Sequence, residues 1–148
     1  MQLVLVLKDI GIEESIKDFH LYKYRQDVKL VNFVDDNQCA ALFGAAYGCI
    51  YLPAVTALDY TGLNALATGT PLISLRMDST VGMFGEASLY TELEEKEIAE
   101  QMMLLYKDEA LRKILIGKGT DLTASYSWEE AALRIWECIT TSALPDKS

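Results

Sequence analysis

Histidine occurs once, at His20, and cysteine three times, at Cys39, Cys49 and Cys138, with no C-x-x-C spacing. So thin a supply of soft ligands argues against a metal site and leaves the cysteines as buried, reduced thiols. Missing too are G-x-S-x-G, G-x-x-x-x-G-K-[ST], H-E-x-x-H and G-x-G-x-x-G, so the common hydrolase, NTPase, metalloprotease and dinucleotide signatures are absent. No apolar run approaches the ~20 residues that cross a bilayer, and no basic leader with a cleavage site opens the chain. Basic residues are in deficit, 13 against 22 acidic, for a net charge of −9. That balance opposes nucleic acid and anionic membrane as partners. The expectation is a cytoplasmic protein that is not membrane-inserted.

What is present fits an α/β chain. With 148 residues and 51% apolar content there is enough material for one compact domain. No linker, repeat or low-complexity tract breaks it, and the expected domain is 1–141, followed by a frayed tail, 142–148, that holds Pro145. Leu3–Leu7 is a continuous apolar run, hence a strand covered on both faces. A helix is expected over Ile12–Tyr24, a strand at Val28–Val31, a small-residue helix at Gln38–Tyr47 and a strand at Cys49–Leu52. A short extended piece follows at Ala87–Tyr90.

The C-terminal third reads as helical. Ile98, Met102 and Leu105 share one helix face, and Leu111, Ile114 and Leu115 another. Gly117 or Gly119 is expected to end the second of these helices. Ser127 and Glu130 form a capping box for a last helix. Trp128, Ala132, Ile135 and Ile139 line one face of it, a stripe expected to pack. The carboxylates Glu92, Glu94, Glu95 and Glu97 read as the solvated start of a helix. His20, on its predicted helix, reads as a surface or packing residue.

The most informative stretch is Leu52–Ser74. An apolar strand ends at Pro53, a polar loop follows, a compact helix runs from about Tyr60 to Thr68, Gly69 stops it, and Pro71 opens a second strand. Strand, loop, helix, Gly, strand is the βαβ unit of a parallel sheet, whose loop lies on the ligand-binding carboxyl edge. A helix start there offers unpaired N–H groups and the positive end of a dipole to a phosphate. Arg76, just past the second strand, is the basic residue placed to meet that phosphate.

This stretch resembles the donor-binding segment of the retaining GT-B glycosyltransferases, which carry two facing Rossmann-like domains. Their pattern E-G-F-G-L-P-x-L-E-A-M-A-x-G-x-P-V-I is matched at Leu63, Ala65, Ala67, Gly69, Pro71 and Ile73. The resemblance extends to Lys29–Asp36, Gln38–Tyr47, Phe84–Tyr90 and Tyr126–Glu129, in the family's order and spacing. It implies a Rossmann-like parallel sheet with flanking helices, the C-terminal, nucleotide-sugar-binding domain, lacking the first βα unit. In that family the donor is held by this half, the acceptor by the other, and the leaving diphosphate is stabilised by a helix dipole and basic side chains without a metal.

The departures bear on function. The family's two glutamates, which hold the donor sugar and the ribose, are Thr56 and Asn64 here, and its two close-approach glycines are Ala57 and Asp59. Asp59 reads as a helix cap, and that cap competes with a diphosphate for the same N–H groups. The donor positions carried over are Thr56, Asp59, Thr61, Gly62, Leu63 and Asn64, with Arg76 as a phosphate contact; no catalytic residue and no cofactor is assigned. Nothing resembles the family's basic first unit, which supplies the central strand of the sheet. Leu3–Leu7 and Cys49–Leu52 are therefore expected to pair directly, or else two copies to complete each other as a homodimer.

Two readings follow. One is the donor half of a glycosyltransferase, inactive without its acceptor domain and holding a nucleotide-sugar weakly. The other is a Rossmann-like interaction module that has lost the donor.

Overall fold

The computed structural model of the chain describes residues 2–7, 19–32, 35–53 and 60–143. It divides into two compact units, Met1–Leu42 and Phe43–Ser148.

In the first unit, β1 (Leu3–Leu7) pairs in parallel with β2 (Val28–Asn32), in a register running from Leu3 opposite Val28 to Leu7 opposite Asn32. Leu3, Val4, Leu5, Val6 and Leu30 keep more than a third of their surface, less covered than the continuous apolar run predicts. The described part of the helix expected over Ile12–Tyr24 is instead a 3₁₀ turn, Phe19–Leu21, with a second at Arg25–Asp27. Leu21, Tyr22 and Tyr24 are exposed, and residues 12–18 of the expected helix lie outside the described residues. Asp35 Oδ1 accepts the Gln38 N–H at 2.8 Å and starts α1 (Asp36–Ala45).

In the second unit β3 (Cys49–Tyr51), β4 (Leu72–Leu75) and β5 (Ser88–Thr91) form a parallel sheet in that order. Among the described residues β1 is laddered to β2 within the first unit and β3 to β4 within the second.

The helix α2 (Thr61–Ala67) connects β3 to β4. Its end is a Schellman motif: Gly69, at φ 76°, donates to Leu66 O at 3.0 Å, and Thr70 N–H to Ala65 O at 3.1 Å. Buried Thr70 then donates through Oγ1 to Phe43 O at 2.6 Å, serving a carbonyl in the last turn of α1. After β4 comes α3 (Asp78–Phe84), a helix that the sequence reading passes over. Thr80 organises its start, accepting the Met77 N–H at 3.1 Å and donating to Leu75 O at 2.6 Å.

Successive residues of β4 point to opposite faces. Leu72 enters a cluster with Tyr51, Leu63, Leu66, Phe84 and Ala87, whereas Ile73 packs with Leu105 and Leu115. Those last two come from α4 (Glu95–Lys107) and α5 (Glu109–Ala124). The sheet is therefore covered on both faces, as parallel sheets are. Contrary to the expected stop, α5 runs on through Gly117 and Gly119. A Cβ on Gly119 would lie 2.8 Å from Leu66 Cδ2, so the bare backbone lets α5 approach α2.

Arg112 also ties α5 to the loop before β3. Its guanidinium lies 4.3 Å over the Tyr47 ring, and its Nε donates to Tyr47 O at 3.3 Å. The last helix, α6 (Trp128–Ala143), starts with the Ser127 half of the predicted capping box, Ser127 Oγ accepting the Glu130 N–H at 3.0 Å, while the Glu130 carboxylate accepts from Arg134. Its apolar stripe does not pack: Trp128, Ala132, Ile135 and Ile139 are all exposed, as is Trp136. Capping and the Arg134–Glu130 pair at 2.9 Å support the helix in place of burial.

The fold is α/β: Rossmann-like parallel strands with flanking helices and a helical C-terminal third. No helix among the described residues is long and apolar enough to cross a membrane.

Candidate functional site on the carboxyl edge of the sheet

Because β3, β4 and β5 are parallel, their C-terminal ends share one edge, and each sequence-predicted position that the structure describes follows a strand there. Thr56 and Asp59 lie outside the described residues. Thr61, Gly62, Leu63 and Asn64 form the first turn of α2. Gly62 and Leu63 are buried and face the core, while Asn64 is exposed and donates its backbone N–H to Tyr60 O at 2.8 Å.

The packing of Gly62 explains its size. A Cβ there would overlap the ring of Phe84 and come within 3.3 Å of Leu72 Cδ2. In this chain the absent side chain makes room for a core phenyl ring.

Arg76 follows β4 and is held by three neighbours. Its backbone N–H donates to Thr91 O at 2.8 Å, extending the β4–β5 ladder by one residue. Its guanidinium lies 5.1 Å over the ring of Tyr90. Its Nε stands 3.7 Å from Glu92 Oε1, with the two side chains 57% and 54% exposed. Tyr90 is itself fixed, donating its hydroxyl to Gly85 O at 2.7 Å. Burial pushes the Tyr90 phenol above its usual pKa, against the opposing pull of the Arg76 charge. The phenol thus stays a neutral donor, and its ring presents a π face to the cation.

Tyr90 and Glu92 were missed by sequence reasoning. The parallel register, with Leu75 opposite Thr91, sets Arg76 beside Glu92. In one dimension that carboxylate belongs only to an acidic run ahead of α4. Chemically this edge offers a cation held over the Tyr90 ring with a carboxylate beside it. Among the described residues no group of three or more His, Cys, Asp or Glu could hold a metal ion.

No protein-family model matches the chain, and no curated protein matches it significantly. Among solved structures, the chain is similar to a sucrose-phosphate synthase from Thermosynechococcus elongatus, at 22% identity and a TM-score of 0.73. The match covers 95% of this chain and 38% of that one, so this chain spans well under half of its neighbour's length. It shares the fold of part of a glycosyltransferase.

Proposed function

We propose that this chain is the C-terminal, nucleotide-sugar-binding half of a retaining GT-B glycosyltransferase, with a degenerate donor site. The observation that carries this reading is the match of nearly the whole chain to part of a sucrose-phosphate synthase fold. The segment read as donor-binding spans the connection from β3 through α2 to β4, and Arg76 directly follows β4. In this reading a donor lies over Thr56–Asn64, with its diphosphate near the α2 start and Arg76. Thr56 and Asn64 bond sugar and ribose hydroxyls in place of carboxylates, at roughly half the strength of a charged partner.

Catalysis needs an acceptor domain, supplied by further polypeptide or another chain. The uncovered apolar face of α6 is a surface that such a domain would cover. A second reading, an interaction module that no longer binds a donor, is favoured by one observation: Glu92 already occupies the charge of Arg76.

Calorimetric titration with UDP-, GDP- and ADP-sugars separates the two. The donor reading expects one nucleotide class to bind with a dissociation constant weaker than about 1 mM, roughly 4 kcal/mol. That binding should weaken further in Arg76→Gln. Micromolar affinity, or binding indifferent to Arg76, would overturn the proposed site, and no binding to any donor supports the interaction module.

A further inference from the structure

The two sides of the Arg76–Glu92 contact are held independently. Arg76 is fixed through its backbone bond to Thr91 and by the Tyr90 ring beneath its guanidinium. Glu92 is fixed through its own backbone N–H, which donates to Glu97 Oε2 at 3.1 Å, across the turn into α4. The backbones that carry the two side chains are thus both held in place, with the carboxylate beside the cation.

We propose that Glu92 is a tethered counter-anion on Arg76: its carboxylate competes with an incoming diphosphate for the guanidinium and lowers the anion affinity of the edge. The proposal rests on the reading of this edge as a donor site, and it names a residue that lowers affinity there.

Charge and geometry make the competition direct. Carboxylate and phosphate oxygens seek the same N–H groups of a guanidinium. At 3.7 Å through Nε alone the pair is not a bidentate clamp, and both partners are more than half exposed, so a more highly charged anion can displace the carboxylate. Glu92 acts twice in the same direction, by occupying the cation and by repelling a second anion within a Debye length. The protein's net charge of −9 adds a weaker, diffuse repulsion.

The test is binding of inorganic pyrophosphate and of UDP by the full chain, followed by NMR titration at low salt. Glu92→Gln should bind pyrophosphate about fivefold tighter than the natural chain. Glu92→Asp, which keeps the charge, should restore most of the suppression. The gain should vanish in the double variant Arg76→Gln/Glu92→Gln and shrink as salt is raised. Equal affinities in Glu92→Gln and the natural chain, a gain that survives loss of Arg76, or no pyrophosphate binding by any variant would each overturn the proposal. UDP separates this outcome from the donor reading: if UDP binds no better than pyrophosphate in every variant, the nucleotide reading falls while the counter-anion role stands.

Discussion

Gly62 and Phe84 meet backbone to ring: the Cα of Gly62 in α2 abuts the phenyl edge of Phe84 at the end of α3, leaving no room for a methyl group. Phe84 is almost wholly buried and cannot swing into solvent. Gly62→Ala is therefore expected to destabilise the fold through overpacking, which costs about 1–3 kcal/mol. The gain in helix propensity, about 1 kcal/mol, offsets only part of this. Chemical denaturation of Gly62→Ala, Phe84→Leu and the double variant checks it, since the smaller side chain should relieve part of the clash and make the two changes non-additive.

Gly69 should be intolerant for a different reason. Its φ of 76° belongs to the left-handed region, where a Cβ costs roughly 1–2 kcal/mol. Gly69→Ala leaves the Schellman hydrogen bonds in place, so urea unfolding should give a lower midpoint with an unchanged slope.

Glu86 provides a pH dependence. Lys118 Nζ donates to Glu86 Oε2 at 2.6 Å, and this hydrogen bond, followed by the Lys118 charge, lowers the Glu86 pKa below the usual carboxylate value. A carboxylate lowered in the folded state contributes stability that is fully present above its unfolded pKa and lost as pH falls through its folded one. The difference in melting temperature between the natural chain and Glu86→Gln should stay constant from neutral pH to about 5, then close below about 4. Both side chains are exposed, so salt should reduce the difference at every pH.

On the proposed function, the purified chain should not transfer sugar from any nucleotide-sugar. In that reading the family's two glutamates supply part of the transition-state stabilisation, and Thr56 and Asn64 stand in their places. Turnover assays with UDP-, GDP- and ADP-sugars should give at most slow donor hydrolysis, and sustained transfer to an added acceptor would refute the reading.

The βαβ unit was legible because its punctuation is chemical. Gly69 and Pro71 permit few backbone conformations, and the helix and strand boundaries fall within about a residue of where those two residues put them. The α3 helix was not legible: seven residues hold too few apolar positions for a period to register, and its start depends on Thr80 bonding across the turn. Gly117 and Gly119 misled because local propensity said stop, while the close packing of Gly119 against Leu66 rewarded continuing; Gly117 faces open space. At the candidate site Arg76 was readable from its place after a strand. Its partners Tyr90 and Glu92 were not, since fourteen and sixteen positions of separation become contact only once the β4–β5 register is known.

Both tryptophans of the chain, Trp128 and Trp136, stand on α6, 81% and 63% exposed. Intrinsic fluorescence is therefore an unusual gauge here: the indoles sit in water and barely register whether Phe84, Leu66 or Leu72 are packed. Unfolding of the core has to be followed by circular dichroism. The same blindness makes the emission spectrum a clean reporter of anything that settles on α6, because a covering surface would shift it to the blue and protect it from quenchers, with no labelling and no core signal to subtract.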